Sequence, residues 1–165
     1  MRDTGENATR PEKKAISGTW HPTAETCCGL VLLAEDNPVN QEVASGMLEA
    51  LNCRVNVAST GKEAIEKLWQ DKYDLVFMDC QMPEMDGYEA TKAIRESEEL
   101  KAKSKSSPSA PPLSHPRIPI IALTGQAMDG DRARCLAAGM DDYLSKPFQM
   151  HQLKEIMERW LPQER

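Results

Sequence analysis

No stretch of this 165-residue chain approaches a membrane span. The longest clean apolar run, Leu30-Val31-Leu32-Leu33-Ala34, falls far short of the roughly 20 residues that a bilayer requires. The first residues are polar and lack the apolar block of a secretory leader, so a soluble, cytoplasmic chain with no direct membrane contact is expected. An excess of positive charge is also missing. Lys and Arg number 20 against 26 Asp and Glu, a net charge of −6, which disfavours attraction to a polyanion and argues against a nucleic-acid partner. The cysteines Cys27, Cys28, Cys53, Cys80 and Cys135 contain no CxxC pair and have no histidine at ligand spacing, so reduced thiols are expected. His21, His115 and His151 are too scattered to build either a zinc site or a Ser-His-Asp triad by spacing.

What is present suits one folded domain: 40% of residues are hydrophobic and 28% charged, enough apolar material for a single core. Residues 1–26 show almost no apolar periodicity and read as a tail or linker. The stretch at about 98–116, EELKAKSKSSPSAPPLSHP, reads as a long Ser/Pro-rich loop inserted in a domain spanning 27–162, with 163–165 as the C-terminal end.

Within the domain, strand and helix patterns alternate. Leu30–Ala34, Leu75–Met78 and Ile120–Leu123 are short all-apolar runs, as expected of parallel strands buried on both faces. Cys53–Val57 alternates apolar and polar residues and belongs at a sheet margin, and Asp142–Ser145 is a fifth short strand. Asn37 and Pro38 start a helix carrying Val39, Val43, Met47, Leu48 and Leu51. Thr60 with Glu63 and Asp86 with Glu89 have capping-box spacing. The first pair precedes Ile65, Leu68 and Trp69, the second Tyr88, Thr91 and Ile94. Cys135 and Leu136 lead to Gly139, a candidate glycine just past a helix end, and Leu153, Ile156, Met157, Trp160 and Leu161 complete a last helix. The pattern is (βα)5, an α/β fold with a doubly wound, five-stranded parallel sheet.

In such sheets ligands bind beyond the carboxyl ends of the strands. There the sequence places Glu35-Asp36, Asp79, Thr124 and Lys146, groups scattered over more than 100 residues. Three carboxylates repel one another unless a cation intervenes, and hard oxygen donors suit Mg²⁺. A divalent ion and Lys146 supply three positive charges against three negative ones. That balance admits a phosphoryl group, with a carboxylate as nucleophile. Asp79 is the best placed, after the apolar strand LVFM and before the turn Met82-Pro83-Glu84-Met85-Asp86-Gly87.

The strings LLAEDNPVN, LVFMDCQMPEMDGYEA, IIALTGQA and AAGMDDYLSKPF resemble the receiver domain of two-component response regulators, most closely receivers of hybrid sensor histidine kinases, over about residues 29–161. The resemblance implies a flavodoxin-like strand order of 2-1-3-4-5 and a phosphoacceptor at Asp79. It implies Mg²⁺ or Mn²⁺ on Glu35, Asp36, Asp79 and the main-chain carbonyl of Gln81. Thr124 is the phosphoryl-binding hydroxyl, Tyr143 the aromatic switch and Lys146 the phosphoryl-contacting lysine, with Lys146-Pro147 cis. Gln81 and Gln126 flank the path of the hydrolytic water, implying slow to intermediate dephosphorylation. Gly125 departs from the alanine common after Thr124. The implied partner is a histidine kinase or histidine phosphotransfer domain, and a homodimer is allowed. The chain would then be a signalling domain that promotes its own phosphorylation and dephosphorylation rather than an enzyme acting on another substrate. Two alternatives stand beside this: a phosphorylation-independent interaction module with the same fold, and an aspartyl phosphatase. The phosphatase is disfavoured because Gln81 occupies the place of its usual second acid. Cys80 and the methionines Met78, Met82, Met85 and Met140 read as packing.

Overall fold

The computed structural model describes residues 29–104, 117–125 and 129–161. Five parallel strands, β1 (Leu30–Ala34), β2 (Arg54–Ala58), β3 (Leu75–Asp79), β4 (Ile120–Thr124) and β5 (Asp142–Ser145), pair in the order β2-β1-β3-β4-β5. The helices α1 (Pro38–Ala50), α2 (Gly61–Gln70), α3 (Gly87–Ser104), α4 (Asp129–Ala138) and α5 (Met150–Trp160) alternate with them. This is the doubly wound (βα)5 sheet in the order 2-1-3-4-5. The alternating segment lies at one margin as β2, with Arg54 exposed, and the three apolar runs occupy the centre.

Strand alternation divides the core in two. Val31, Leu33, Leu75, Phe77, Ile121 and Leu123 pack with Ala44 and Leu48 of α1 and with Leu153, Ile156 and Met157 of α5. Leu32, Val76, Met78, Ile120 and Ala122 belong to the second cluster, with Ala64 and Ile65 of α2, Ala90 and Ile94 of α3 and Cys135 of α4. Met82 and Met140 join this second cluster, so the methionines fill gaps as expected. Fully burying a Leu or Phe side chain stabilises by about 1.5–3 kcal/mol, and β1, β3 and β4 are anchored this way from both sides.

The helices begin where their caps dictate. Asn37 Oδ1 accepts from Val39 N at 2.9 Å and Asn40 N at 3.3 Å, with Pro38 opening α1. Thr60 Oγ1 accepts from Glu63 N at 3.1 Å, while the Glu63 carboxylate reaches Ser59 N rather than the cap's own N–H. Asp86 and Glu89 form the full reciprocal box, at 2.8 and 3.3 Å. Gly139, at φ +101°, terminates the chain segment after α4, with Met140 N donating to Cys135 O at 3.0 Å.

Three expectations need correction. Residues 98–104 are helical rather than loop: α3 runs to Ser104, because Glu, Leu, Lys and Ala are strong helix formers and the Ser/Pro density rises only afterwards. Arg95 and Glu98 pair at 2.8 Å across that supposed boundary. Val39 and Val43 are exposed, and so are Trp69 and Leu136, because helical periodicity alone does not say which side meets the sheet. α1 buries Ala44 and Leu48 instead. Cys53 is disulfide-bonded, against the expectation of reduced thiols throughout, whereas Cys80 and Cys135 are free. One feature was not foreseen at all: Arg95 is a half-buried hub that no local pattern announces. It donates to Gly139 O, Ile118 O, Glu98 and Asp141 at 2.7–2.9 Å, tying α3 to the amino-end connections of β4 and β5. The tail at 1–26, Cys27, Cys28, His21, His115, Gln126, residues 105–116 and the end at 163–165 lie outside the described residues. No helix among the described residues is long and apolar enough to cross a membrane.

Candidate functional site

The carboxyl ends of β1, β3 and β4 and the segment after β5 bring together the residues picked out by sequence. β1 runs straight into Glu35, which is 2% exposed, and Asp36, which is exposed. Asp79 closes β3 at 5% exposure and Thr124 closes β4 at 4%. Carboxylate oxygens of Glu35, Asp36 and Asp79 all lie within 4.8 Å of one another, the one such acidic or sulfur cluster among the described residues. Lys146, just past β5, sends its ammonium between two of them, 2.5 Å from Glu35 Oε2 and 2.8 Å from Asp79 Oδ2. Its own main-chain N–H donates to Thr124 O at 2.7 Å, so the lysine is registered on β4. The Lys146-Pro147 peptide is cis.

Glu35 is held by an arrangement that the sequence reading did not foresee. Its Oε1 accepts from Asn37 N at 3.1 Å and from Asn40 Nδ2 at 3.3 Å, while Gln41 Nε2 donates to its main-chain oxygen at 2.6 Å. Asn37 is thus more than a helix cap, since its N–H fixes the carboxylate two residues before it. The signal lay in the polar residues on the first turns of α1, at offsets of two, five and six from Glu35, which no single motif marks. Asp79 Oδ1 accepts from Gln81 N at 3.0 Å. The following turn comes back closely: Gly87 N donates to Cys80 O at 3.2 Å, and a Cβ at Gly87 would lie 2.1 Å from Asp79 O. Glycine is required there by proximity, while the left-handed position of the turn, φ +68°, is taken by Glu84.

Burial drives the electrostatics. At Asp79, desolvation outweighs the Lys146 and Gln81 hydrogen bonds and pushes the carboxyl above its ordinary value. At Glu35, burial acts upward too, but the Lys146 bond and the Asn37 and Asn40 donors together hold the carboxyl below its usual range. Lys146 is disfavoured as an ammonium by burial, yet its bonds to Asp79 and Glu35 prevail and raise it. One permanent cation therefore serves two buried carboxylates, and a site with a third carboxylate beside them has the charge and the hard oxygen donors for a divalent metal ion.

Tyr143 stands apart. It is 36% exposed on β5, in register with Ala122, and its ring lies 5.8 Å below the Arg132 guanidinium of α4. The ring is thus turned to the α4 side rather than buried.

Comparison with known proteins follows this geometry closely. A family model described as the response regulator receiver domain matches residues 31–107 and 109–158. The hybrid signal transduction histidine kinase K of Dictyostelium discoideum is 40% identical over 142 residues, 86% of this chain but 11% of that protein. The sensor protein GacS of Pseudomonas syringae is 35% identical over 89% of this chain and 15% of its own length. The chain therefore spans a small part of these relatives. Among solved structures, the receiver domain of the sensor histidine kinase PA1611 from Pseudomonas aeruginosa, with magnesium coordinated in its active-site cleft, is 43% identical. The match covers 80% of this chain and 96% of that one at a TM-score of 0.66. The receiver domain of the Saccharomyces cerevisiae response regulator Ssk1, solved with the histidine phosphotransfer protein Ypd1, is 33% identical over 79% of this chain and 87% of that one, at a TM-score of 0.69.

Proposed function

The chain belongs to the response regulator receiver domain family, and from that premise we propose that Asp79 is the residue that takes a phosphoryl group from a phosphohistidine. The donor is a histidine kinase or a histidine phosphotransfer domain, a reading supported by relatives that are hybrid kinases and by the Ypd1-bound receiver of Ssk1. The observation that carries the assignment is the pairing of Asp79 with Lys146 at 2.8 Å beside two further carboxylates. In the reaction a carboxylate oxygen of Asp79 attacks phosphorus in line, a P–O bond forms, and the P–N bond of the donor breaks, its electron pair and a proton remaining with the imidazole. Lys146 offsets negative charge at the transferred oxygens, and Gln81 N holds Asp79 Oδ1 so that the other oxygen is presented.

Glu35, Asp36, Asp79 and the main-chain carbonyl of Gln81 are the residues that would hold Mg²⁺ or Mn²⁺, consistent with the magnesium in the PA1611 receiver. When bound, the ion offsets carboxylate repulsion and phosphoryl charge. Thr124, buried at the end of β4, is the hydroxyl that follows the phosphoryl group, and Tyr143 is the side chain that moves with it. The domain promotes its own phosphorylation and slow hydrolysis, works in the cytoplasm, and signals through the shifted α4–β5 surface, alone or as a homodimer.

Beryllofluoride mimics the phosphoryl group and tests this reading. With Mg²⁺ it is expected to bind the protein and shift amides near Asp79, Thr124 and Tyr143, and Thr124→Ala is expected to bind it while losing the Tyr143 response. Binding that persists in excess chelator or in Asp79→Ala contradicts the assignment.

A further inference from the structure

Cys80 and Cys135 are the free cysteines among the described residues, and both are buried. Cys80 directly follows the proposed phosphoacceptor, and Cys135 lies in α4. The β3-β4 pairing and the packing of α4 against the same sheet face bring them together across 55 residues of sequence, with their sulfurs 3.9 Å apart. Tyr88, at the start of α3, packs against the same cluster. Neither thiol takes part in the phosphoryl chemistry: Lys146 engages Asp79, whereas Cys80 packs among the side chains under α2, α3 and α4.

A disulfide has its sulfurs about 2.05 Å apart, so closing this pair takes a movement of about 2 Å, shared between two side chains. We propose that Cys80 and Cys135 form a disulfide under a peroxide-class oxidant, and that the bond fastens α4 to the residue beside Asp79 and suppresses the response to phosphorylation. The second half rests on the phosphoacceptor reading above. In the covalent step one sulfur attacks a peroxide oxygen, the O–O bond breaks, and the thiol proton leaves with the departing hydroxide as water, giving a sulfenic acid. The other sulfur attacks that sulfenic sulfur, the S–S bond forms, and the released hydroxide takes the second thiol proton. Two electrons pass from the sulfur pair to one hydrogen peroxide, which ends as two waters.

Burial makes the pair selective rather than indiscriminately reactive. An oxidant reaches it only when α4 lifts from the sheet, so oxidation samples the mobility of the element that the bond then pins. Because Asp79 remains engaged at the carboxyl rim, the bond is expected to leave its acceptance of a phosphoryl group intact.

The test treats the full chain with hydrogen peroxide, alkylates residual thiols and maps peptides without reduction. A cross-linked pair containing Cys80 and Cys135, lighter by two hydrogens, is expected. The oxidised protein should still be labelled at Asp79 by a small phosphoryl donor, while its α4 and Tyr143 amides no longer shift with Mg²⁺ and beryllofluoride. Dithiothreitol should restore the shifts. Cys135→Ala keeps the remaining cysteines and should be insensitive to peroxide, which separates this bond from any other. Alkylation of both thiols after peroxide, or a cross-linked protein that responds as fully as the reduced one, would overturn the proposal. A reduced protein that cross-links but never labels Asp79 overturns the phosphoacceptor reading and the regulatory half with it, and leaves the disulfide standing.

Discussion

Gly87 shows how much of the site depends on one missing side chain. A Cβ at this position meets the Asp79 carbonyl at 2.1 Å, far inside contact distance, so the main chain carrying Asp79 would have to move. Gly87→Ala is expected to destabilise the fold by about 1–3 kcal/mol, the usual range for overpacking. It should also slow labelling of Asp79 by more than the stability loss explains, because the carboxylate itself is displaced. Denaturant midpoints and labelling rates measured on the same sample separate the two effects, and a variant that labels at the wild-type rate would show that the turn does not position Asp79. Glu35 depends on neighbours in the same way: the N–H of Asn37 and the amide of Asn40 hold one oxygen and leave the other to Lys146. Its low proton affinity is therefore a property of the β1-α1 junction as much as of the lysine.

Among the elements, β5 is the short margin strand that carries Tyr143 and leads to Lys146, and α5 secures it. Asp142 Oδ2 accepts from Arg159 Nη1 at 2.7 Å and Trp160 Nε1 at 3.0 Å, and Oδ1 accepts from Tyr143 N at 2.9 Å. Burial acts to raise this carboxyl, but the Trp160, Tyr143 and Arg159 bonds outweigh it and hold the group below its ordinary value. A carboxyl depressed in the folded state stabilises fully above its unfolded value of about 3.9, and that contribution fades as pH falls through the lower folded value. Asp142→Asn should therefore cost about 1 kcal/mol near neutral pH, since Arg159 is largely exposed and screened, and should flatten the acid limb of the stability curve. Unfolding midpoints between about pH 3 and pH 6 check this; an unchanged slope in the variant would remove Asp142 from the account. The elements were largely legible in sequence, because strands buried on both faces read as apolar runs and each cap sits within three residues of its helix. What stayed hidden needed the sheet order. Arg95 finds partners 23 to 46 residues away, and the outward placement of Val39 and Val43 depends on where the sheet lies against α1.

Across the whole molecule, the parallel sheet separates two rims. The carboxylates, Thr124 and Lys146 occupy the carboxyl rim, whereas α3 returns to β4 at the amino rim, where Glu98 and Arg95 clasp Ile118 at 2.9–3.0 Å. This polarity makes the site readable in the sequence, since residues far apart along the chain but each just past a strand converge on one edge. It did not reveal that Lys146 bridges Glu35 and Asp79, because side-chain reach is not written in strand order. Replacing residues 105–114 with a short Gly/Ser linker, beyond the end of α3, should preserve folding and Asp79 labelling. Halving a flexible loop changes closure entropy by only about 0.6 kcal/mol. Lost labelling in a folded, shortened protein would show that the segment reaches the carboxyl rim. The central claim is tested most directly by phosphotransfer. Incubated with a labelled phosphohistidine protein and Mg²⁺, the chain is expected to acquire an alkali-labile acyl phosphate that maps to Asp79, with none in Asp79→Asn or in excess chelator. Equal labelling of Asp79→Asn, or a label mapped to another residue, would contradict the account.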